Sequence, residues 1–249
     1  MAIDFTITKK YYHRIVNITR SERLSLEIRK KNKFKKIARL AIIITAVILL
    51  TGSLFFSLLR HKPAMYKPLD YTGDSQVSLY LTHDLLPALY NGSQLQEPFD
   101  LVVTQAGIND IVARFDWPQR FDGVSISAPV VFFAPDYIVL MAAVSLDGAE
   151  FVATVTTKPA LDAKGLLNLR TAGVKIGAVD ITPLATLIAK RIYQAESADA
   201  DDFWTRAVGS LVNGEPFEPV FKIDDKKVRV DKITLQQKKL TIHFIPVVD

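Results

Sequence analysis

Residues 137–158 have the sequence YIVLMAAVSLDGAEFVATVTTK and predict a β-hairpin. Two runs rich in Val, Ile, Phe and Thr, the residue types favoured in strands, flank the pair Asp147-Gly148. This pair is typical of a tight hairpin turn, because both of its residues tolerate a positive φ. Strands joined by so short a connection are antiparallel. The stretch therefore predicts the centre of an antiparallel sheet.

Both faces of the central strands are apolar. A sheet with one face in water alternates apolar and polar residues, as residues 239–244 do near the end of the chain. The runs 124–133 and 137–146 do not alternate, so both of their faces must be covered. Protein can cover both faces, or a curved sheet can leave one face lining an apolar cavity for an acyl chain. Few long helices are predicted, which keeps the second alternative open.

Other short apolar runs, bounded by Gly, Pro and Asp, predict the remaining elements. Helix 182–194 is the clearest helix, since Thr182 suits its N-cap, Pro183 suits its first turn, and Leu184, Leu187 and Ile188 share one face. The fold class predicted for residues 76–249 is α+β, a curved antiparallel sheet packed on one or two helices. The predicted strands are 77–82, 101–105, 124–133, 137–146, 151–158, 167–181 in pieces, 220–223, 228–235 and 240–247, and the other helices are 84–90, 106–115 and 199–212.

Residues 40–59, LAIIITAVILLTGSLFFSLL, predict a transmembrane helix. They form twenty consecutive positions without a charge, and about 20 helical residues cross the roughly 30 Å hydrocarbon core of a bilayer. A signal peptide is the alternative interpretation. Its apolar core is usually about 7–15 residues long and follows a short basic lead, whereas this run is longer and follows nearly forty residues. We therefore expect a retained anchor.

The distribution of charge predicts the orientation of this anchor. Residues 1–39 contain twelve Lys and Arg against three acidic residues, and basic flanks stay on the cytoplasmic side. We expect a single-pass protein of the inner or cytoplasmic membrane. It has a basic cytoplasmic tail at 1–39, a linker at 60–75 and an extracytoplasmic domain, periplasmic in a bacterium with two membranes, at 76–249. Residues 63–249 hold 17 basic and 23 acidic residues, so a nucleic-acid partner is not expected.

The sequence contains no recognisable catalytic or metal-binding motif. It has no cysteine, which excludes disulfides, thiol nucleophiles and Cys-type zinc sites. HExxH, GxSxG, SxxK and the glycine-rich phosphate loops are all missing. The outer domain has only His83 and His243, and the neighbouring side chains of His83 and Asp84 point apart on a strand. We therefore expect a protein that is not an enzyme and that holds no metal or cofactor.

Three segments after the anchor carry a family resemblance: VVTQAGINDIV (102–112), LLNLRTAGVKIGAVDITPLATLIAKRI (166–192) and VDKITLQQKKLTIHF (230–244). Their order resembles the YpmS-like family of single-pass extracytoplasmic bacterial proteins over residues 76–249. More distantly it is similar to tubular lipid-binding (TULIP-like) domains and to mycobacterial LmeA-type lipid-binding proteins. The resemblance implies a curved sheet wrapped around a long helix, with lipid tails in the seam between helix 182–194 and strands 124–158.

Two functional hypotheses follow from these patterns. The first is a membrane-anchored domain that binds a membrane lipid or another long apolar ligand, in envelope maintenance or lipid transfer. The second is a bitopic scaffold that docks an envelope or secretion protein through an exposed apolar patch or sheet edge, without a ligand cavity. The oligomeric state stays open. The candidate ligand-binding residues are Val131, Phe133, Tyr137, Val139, Met141, Phe151 and Ile188.

Overall fold

The structure, a computed structural model, describes residues 35–69, 77–121, 123–196 and 203–247. The chain divides into two compact units, Met1–Phe56 and Ser57–Asp249. Helix α1 spans Lys35–Leu59 and is long and apolar enough to cross a membrane. Its 25 residues extend about 37 Å at 1.5 Å per residue. The predicted span 40–59 lies within it and ends at the same residue.

The second unit is α+β, as predicted, but its strands form two sheets rather than one. Both sheets are antiparallel, and neither is closed. The small sheet has the order β1-β11-β10-β9, and the large sheet has the order β2-β3-β5-β6-β7-β8 with β4 also paired to β5. The strands are β1 Phe99–Thr104, β2 Gln119–Phe121, β3 Val124–Ile126, β4 Val130–Ala134, β5 Tyr137–Leu146, β6 Ala149–Leu161, β7 Leu167–Ile176, β8 Val179–Asp180, β9 Val220–Ile223, β10 Lys226–Gln236 and β11 Lys239–Pro246.

Four helices pack against these sheets. A π-helical segment, Tyr80–Leu85, continues directly into α2 at Leu86–Gln94. Helix α3 spans Gln105–Ala113, helix α4 spans Thr182–Glu196 and helix α5 spans Phe203–Asn213. The predicted beginning of the last helix at 199–202 lies outside the described residues.

The predicted central hairpin is confirmed as β5 and β6. Its strands pair from Ile138 opposite Thr157 to Leu146 opposite Ala149. Its turn has a φ of +48° at Asp147 and +79° at Gly148, the left-handed backbone that favours this pair of residues.

The predicted strand 124–133 is broken into β3 and β4, which pair with opposite ends of β5. Pro129 lies in the gap and has no N–H to contribute to a ladder. One hydrogen bond, from Ser127 N to Ala143 O at 2.9 Å, bridges the interruption.

The main core lies between the small sheet and one face of the large sheet. The register places Val131 opposite Leu140 and Phe133 opposite Ile138, so these four side chains share what we call the inner face. They pack against buried residues of the small sheet. The opposite, outer face carries the alternating residues of the same strands. The buried small-sheet residues of this core are Leu101, Val103, Val228, Val230 and Phe244.

Helix α5 packs directly on β7 and is held there by hydrogen bonds. Ser210 Oγ, which is fully buried, accepts from Leu169 N at 2.8 Å. Thr171 Oγ1 donates to Leu211 O at 2.7 Å, and Asn168 Nδ2 donates to Gly214 O at 2.9 Å. Helix α5 therefore packs on β7, and helix α4, which the resemblance places against strands 124–158, packs instead on α5 and β7.

One edge strand of each sheet, β4 in the large sheet and β1 in the small sheet, is capped by a side chain from a helical segment. Asn109 of α3 accepts from Val131 N at 2.7 Å and donates to Val131 O at 2.9 Å, as a neighbouring strand would. Tyr80 OH caps β1 in the same way, since it donates to Val102 O at 3.2 Å and accepts from Thr104 N at 3.0 Å. At these positions the backbone N–H and C=O groups are therefore not free to pair with a strand of another chain.

We expect Gly107→Ala to destabilise the protein, although alanine usually stabilises a helix by about 1 kcal/mol relative to glycine. A Cβ at Gly107 would overlap the ring of Tyr80 and displace the cap of β1. Thermal unfolding in detergent, followed by circular dichroism, measures the effect. Gly52→Ala in α1 is the control, because nothing lies within 4 Å of its Cβ position. A Gly107→Ala variant as stable as wild type would show that Tyr80 does not need this space.

Candidate functional site

A cleft lies on the outer face of the large sheet, between residues 62–69 and the end of α3. Its volume is about 770 Å³. The loop after α3 and the gap between β3 and β4 complete its walls. We call it the groove. It is lined by Lys62, Tyr66, Pro68, Leu69, Ala113, Arg114, Phe115, Trp117, Pro118, Ser127, Ala128, Ala143 and Glu150.

A second hollow of about 300 Å³ adjoins the groove and shares Leu69 and Ala113 with it. Its lining is mostly apolar, whereas the groove is lined by charged, aromatic and apolar side chains. The two hollows therefore lie side by side, with Lys62 in the lining of the groove and Val130 and Phe132 of β4 in the lining of the second hollow. The other residues of the second hollow are Met65, Lys67, Gln105, Ala106, Asn109, Pro129, Val130 and Phe132.

Residues 62–69 are fixed against the sheet by two contacts. Lys62 Nζ lies 2.6 Å from Glu150 Oε1 at the start of β6. Tyr66 OH accepts a hydrogen bond from Ala143 N at 2.9 Å. That N–H faces the gap between β3 and β4, where no strand residue is present to accept it. This part of the predicted linker therefore forms a wall of the groove, and residues 70–75 lie outside the described part of the chain.

The charged groups of the groove are held in ion pairs. The hydrogen bond and charge of Glu150 raise the pKa of Lys62 above its usual value. Arg114 lies on the opposite wall and bonds Asp110 Oδ1 through Nε at 3.1 Å and Nη2 at 2.9 Å. This guanidinium, together with the hydroxyl of Ser78 at 2.5 Å, lowers the pKa of the Asp110 carboxyl. Both cations line the cleft, and each is paired with a carboxylate.

Aromatic side chains form the rim beside Arg114. Trp117 Nε1 donates to Val112 O at 2.8 Å, which fixes the indole at the end of α3. Phe115 is 62% exposed, an unusual position for so large an apolar side chain. A cleft with two cations, exposed aromatic rings and an apolar extension suits a ligand with a polar head and an apolar tail.

The seven sequence-predicted ligand residues do not come together in one site. Val131 and Phe133 are buried in the main core, at 6% and 4% exposure, and lie on the inner face. Phe151 also lies on the inner face, opposite Val144, and is half-buried. Ile188 is 48% exposed on α4.

The other three predicted residues lie on the outer face, and two of them lie next to the second hollow. Val139 pairs with Phe132 and buried Met141 pairs with Val130, and both partners line the second hollow. Tyr137 lies at the exposed start of β5, where Lys158 Nζ is 5.6 Å from its ring centre. The prediction thus grouped residues from opposite faces of the sheet, because side chains alternate between the two faces along β4 and β5.

Sequence reasoning missed several residues of the groove and of the second hollow. Val130 and Phe132 of β4 lie on the same face as Val139 and Met141 of β5, so the alternation of side chains along the two strands could have identified them. Lys62, Tyr66 and Leu69 belong to a segment predicted as a linker. They lie beside residues of β5, β6 and α3 that are more than forty positions away, and no local sequence pattern indicates these long-range partners.

Other polar clusters are sparse in the described part of the chain. His243 Nδ1 lies 2.7 Å from Asp100 Oδ1 as an exposed cross-strand pair on the small sheet. Within residues 35–69, 77–121, 123–196 and 203–247, no group of three or more His, Asp or Glu side chains is placed to hold a metal ion.

The chain matches no known protein-family model, and no curated protein matches it in sequence.

Proposed function

We propose that this protein is a single-pass membrane protein whose extracytoplasmic domain binds a membrane lipid in the groove. The observation that carries the proposal is the position of the groove in the chain. Lys62, on its polar wall, follows the end of α1 by only three residues. The lining of the groove therefore begins three residues beyond the proposed membrane anchor.

The membrane topology is part of the same proposal. Helix α1 is long enough to span a bilayer, and the excess of basic residues before it favours a cytoplasmic amino terminus in the inner or cytoplasmic membrane. Residues after α1 then lie outside the cytoplasm, where the domain serves envelope maintenance or lipid transfer.

The chemistry of the lining supports an amphiphilic ligand. Lys62 and Arg114 offer charge-assisted hydrogen bonds to a phosphate or carboxylate headgroup. Met65, Leu69 and Phe132 offer apolar surface to an acyl chain, whose burial is worth about 0.8 kcal/mol per methylene. The cleft volume falls within the range of about 300–1,000 Å³ that small-molecule sites occupy. Such binding requires no catalytic group, so the proposal describes a binding protein and not an enzyme.

Photocrosslinking in a bilayer tests the proposal with the full chain. The protein is reconstituted in nanodiscs that contain a phospholipid with a diazirine on its acyl chain, irradiated and digested, and the adducts are located by mass spectrometry. We expect one set of adducts in α1 from contact with the bilayer and a second set at residues 65–69 and 130–132. The first set serves as the internal reference for insertion.

Filling the groove supplies the control. Ala113 borders both hollows, so Ala113→Trp is expected to remove the second set of adducts and to retain the first. Ala88→Trp places the same side chain on the exposed surface of α2 and is expected to retain both. If the second set is missing in wild type, or survives unchanged in Ala113→Trp, the groove does not bind lipid and the docking-scaffold hypothesis replaces it.

A further inference from the structure

Helix α4 exposes three of its large apolar side chains, whereas two alanines on its other side are half-buried. Leu184, Leu187 and Ile188 are 55%, 54% and 48% exposed. Ala185 and Ala189, on the other side of the helix, are half-buried. An amphipathic helix of a globular domain ordinarily has the reverse arrangement, with its leucines towards the core. The spacing i, i+3, i+4 makes the exposed side chains one continuous stripe.

Helix α4 packs closely on α5. Gly209 of α5 lies against Tyr193 of α4, and a Cβ at Gly209 would come within 2.6 Å of the tyrosine hydroxyl. The glycine on α5 thus leaves space for the tyrosine side chain of α4. Helix α4 is thus anchored to the domain without the stripe, which stays available for another surface.

The place of α4 in the chain indicates what that surface is. The turn between β7 and β8 contacts the last turn of α1: Ala178 N donates to Leu58 O at 2.9 Å. A Cβ at Gly177 would overlap the backbone of Leu59, so the two segments are in direct contact. Leu58 and Leu59 are the last residues of the apolar span and belong to the same compact unit as the β7–β8 turn, so the turn adjoins the end of the span. From Ala178 to Thr182, the first residue of α4, four residue steps reach at most about 14 Å.

Basic residues follow the stripe along α4. Lys190 and Arg191 are both exposed, and Arg191 lies one turn beyond Leu187 on the same side. An apolar stripe flanked by Lys and Arg is typical of helices that lie in the plane of a membrane interface. Basic residues near an anionic lipid surface add to the attraction between a helix and the membrane.

We propose that α4 rests on the outer surface of the bilayer that α1 crosses. Leu184, Leu187 and Ile188 enter the boundary between headgroups and acyl chains, and Lys190 and Arg191 contact anionic headgroups. The inference rests on the membrane anchor in the proposed function and not on lipid binding in the groove.

Site-specific fluorescence in a bilayer tests this contact, and the absence of cysteine from the natural sequence makes the labelling unambiguous. The full chain carries one cysteine with an environment-sensitive NBD label, in nanodiscs of equal parts phosphatidylcholine and phosphatidylglycerol, with or without nitroxide-labelled lipid. Leu187→Cys and Ile188→Cys report on α4. Leu86→Cys on α2 is the matched control, because Leu86 is 49% exposed, and Leu50→Cys in α1 reports insertion.

We expect blue-shifted emission and several-fold stronger nitroxide quenching at 187 and 188 than at 86, with strong quenching at 50. Reversing the charges of Lys190 and Arg191 to Glu should reduce the quenching at 187, whereas the same reversal at the exposed pair Lys238 and Lys239 should not. Quenching at 50 without quenching at 187 and 188 would overturn the inference and leave the anchor intact. A blue shift at 187 that grows with the protein-to-lipid ratio and lacks quenching would overturn it in favour of contact with a second copy.

Discussion

Replacing Asn109 by leucine is expected to lower the free energy of unfolding by about 2–6 kcal/mol. The amide of Asn109 bonds both the N–H and the C=O of Val131, which is 6% exposed at the edge of β4. Leucine has a similar volume but no polar atom, so two buried backbone groups lose their partners. Each such group costs about 1–3 kcal/mol. Urea denaturation in detergent, followed by circular dichroism, measures the loss.

A matched substitution separates the lost hydrogen bonds from the loss of an amide in general. Asn91 is exposed on α2, and Asn91→Leu is expected to change stability by no more than about 0.5 kcal/mol. Asn109→Leu should also aggregate faster when partly unfolded, because an uncapped β4 presents an open edge. Equal denaturation midpoints for the two variants would show that the edge of β4 is not capped by this side chain.

The features of the fold that follow from local sequence were predictable. Asp147-Gly148 specifies its hairpin because the turn needs two residues that tolerate a positive φ, and neighbours along the chain satisfy this alone. The alternation at 239–244 correctly predicts one buried face for β11, since Phe244 is buried against Phe99 while His243 faces Asp100. Such patterns are independent of the rest of the chain.

Features that depend on distant partners were not predictable. Residues 77–82 were predicted as a strand, which is wrong, because Ser78 bonds Asp110 and its Oγ accepts from Leu81 N, and a helical segment begins there instead. The division into two sheets depends on β1 pairing with β11, over 130 residues later in the chain. No pattern within residues 99–104 contains that information.

The candidate site was predictable only in part, for the same reason. The sequence indicated that both faces of β4 and β5 are covered, and it named Val139 and Met141 beside the groove. It could not show that residues 62–69 return to cover the outer face, because Tyr66 meets Ala143 only through a gap between strands. Nor could it show that helix α5 packs on β7 and that Ile188 of α4 stays exposed.

Phe133→Ala and Ile188→Ala are expected to have opposite outcomes, although both residues were predicted to line one ligand cavity. Phe133 is 4% exposed within the main core, and its truncation is expected to cost about 3–5 kcal/mol of unfolding free energy. Ile188 is 48% exposed, so its truncation in detergent should stay within about 0.5 kcal/mol of wild type. Urea denaturation of both variants in the same detergent measures the difference.

This pair of variants also decides between two arrangements of the helix. The resemblance to TULIP-like domains implies that helix 182–194 lies in the seam of the sheet, where Ile188 would be buried and costly to truncate. In the structure the stripe that contains Ile188 is exposed, and helix α5 packs on β7. A loss of several kcal/mol in Ile188→Ala would therefore favour the seam as the ligand site. A neutral result, together with a large loss in Phe133→Ala, excludes the seam arrangement and agrees with a stripe of α4 that does not pack on the sheet.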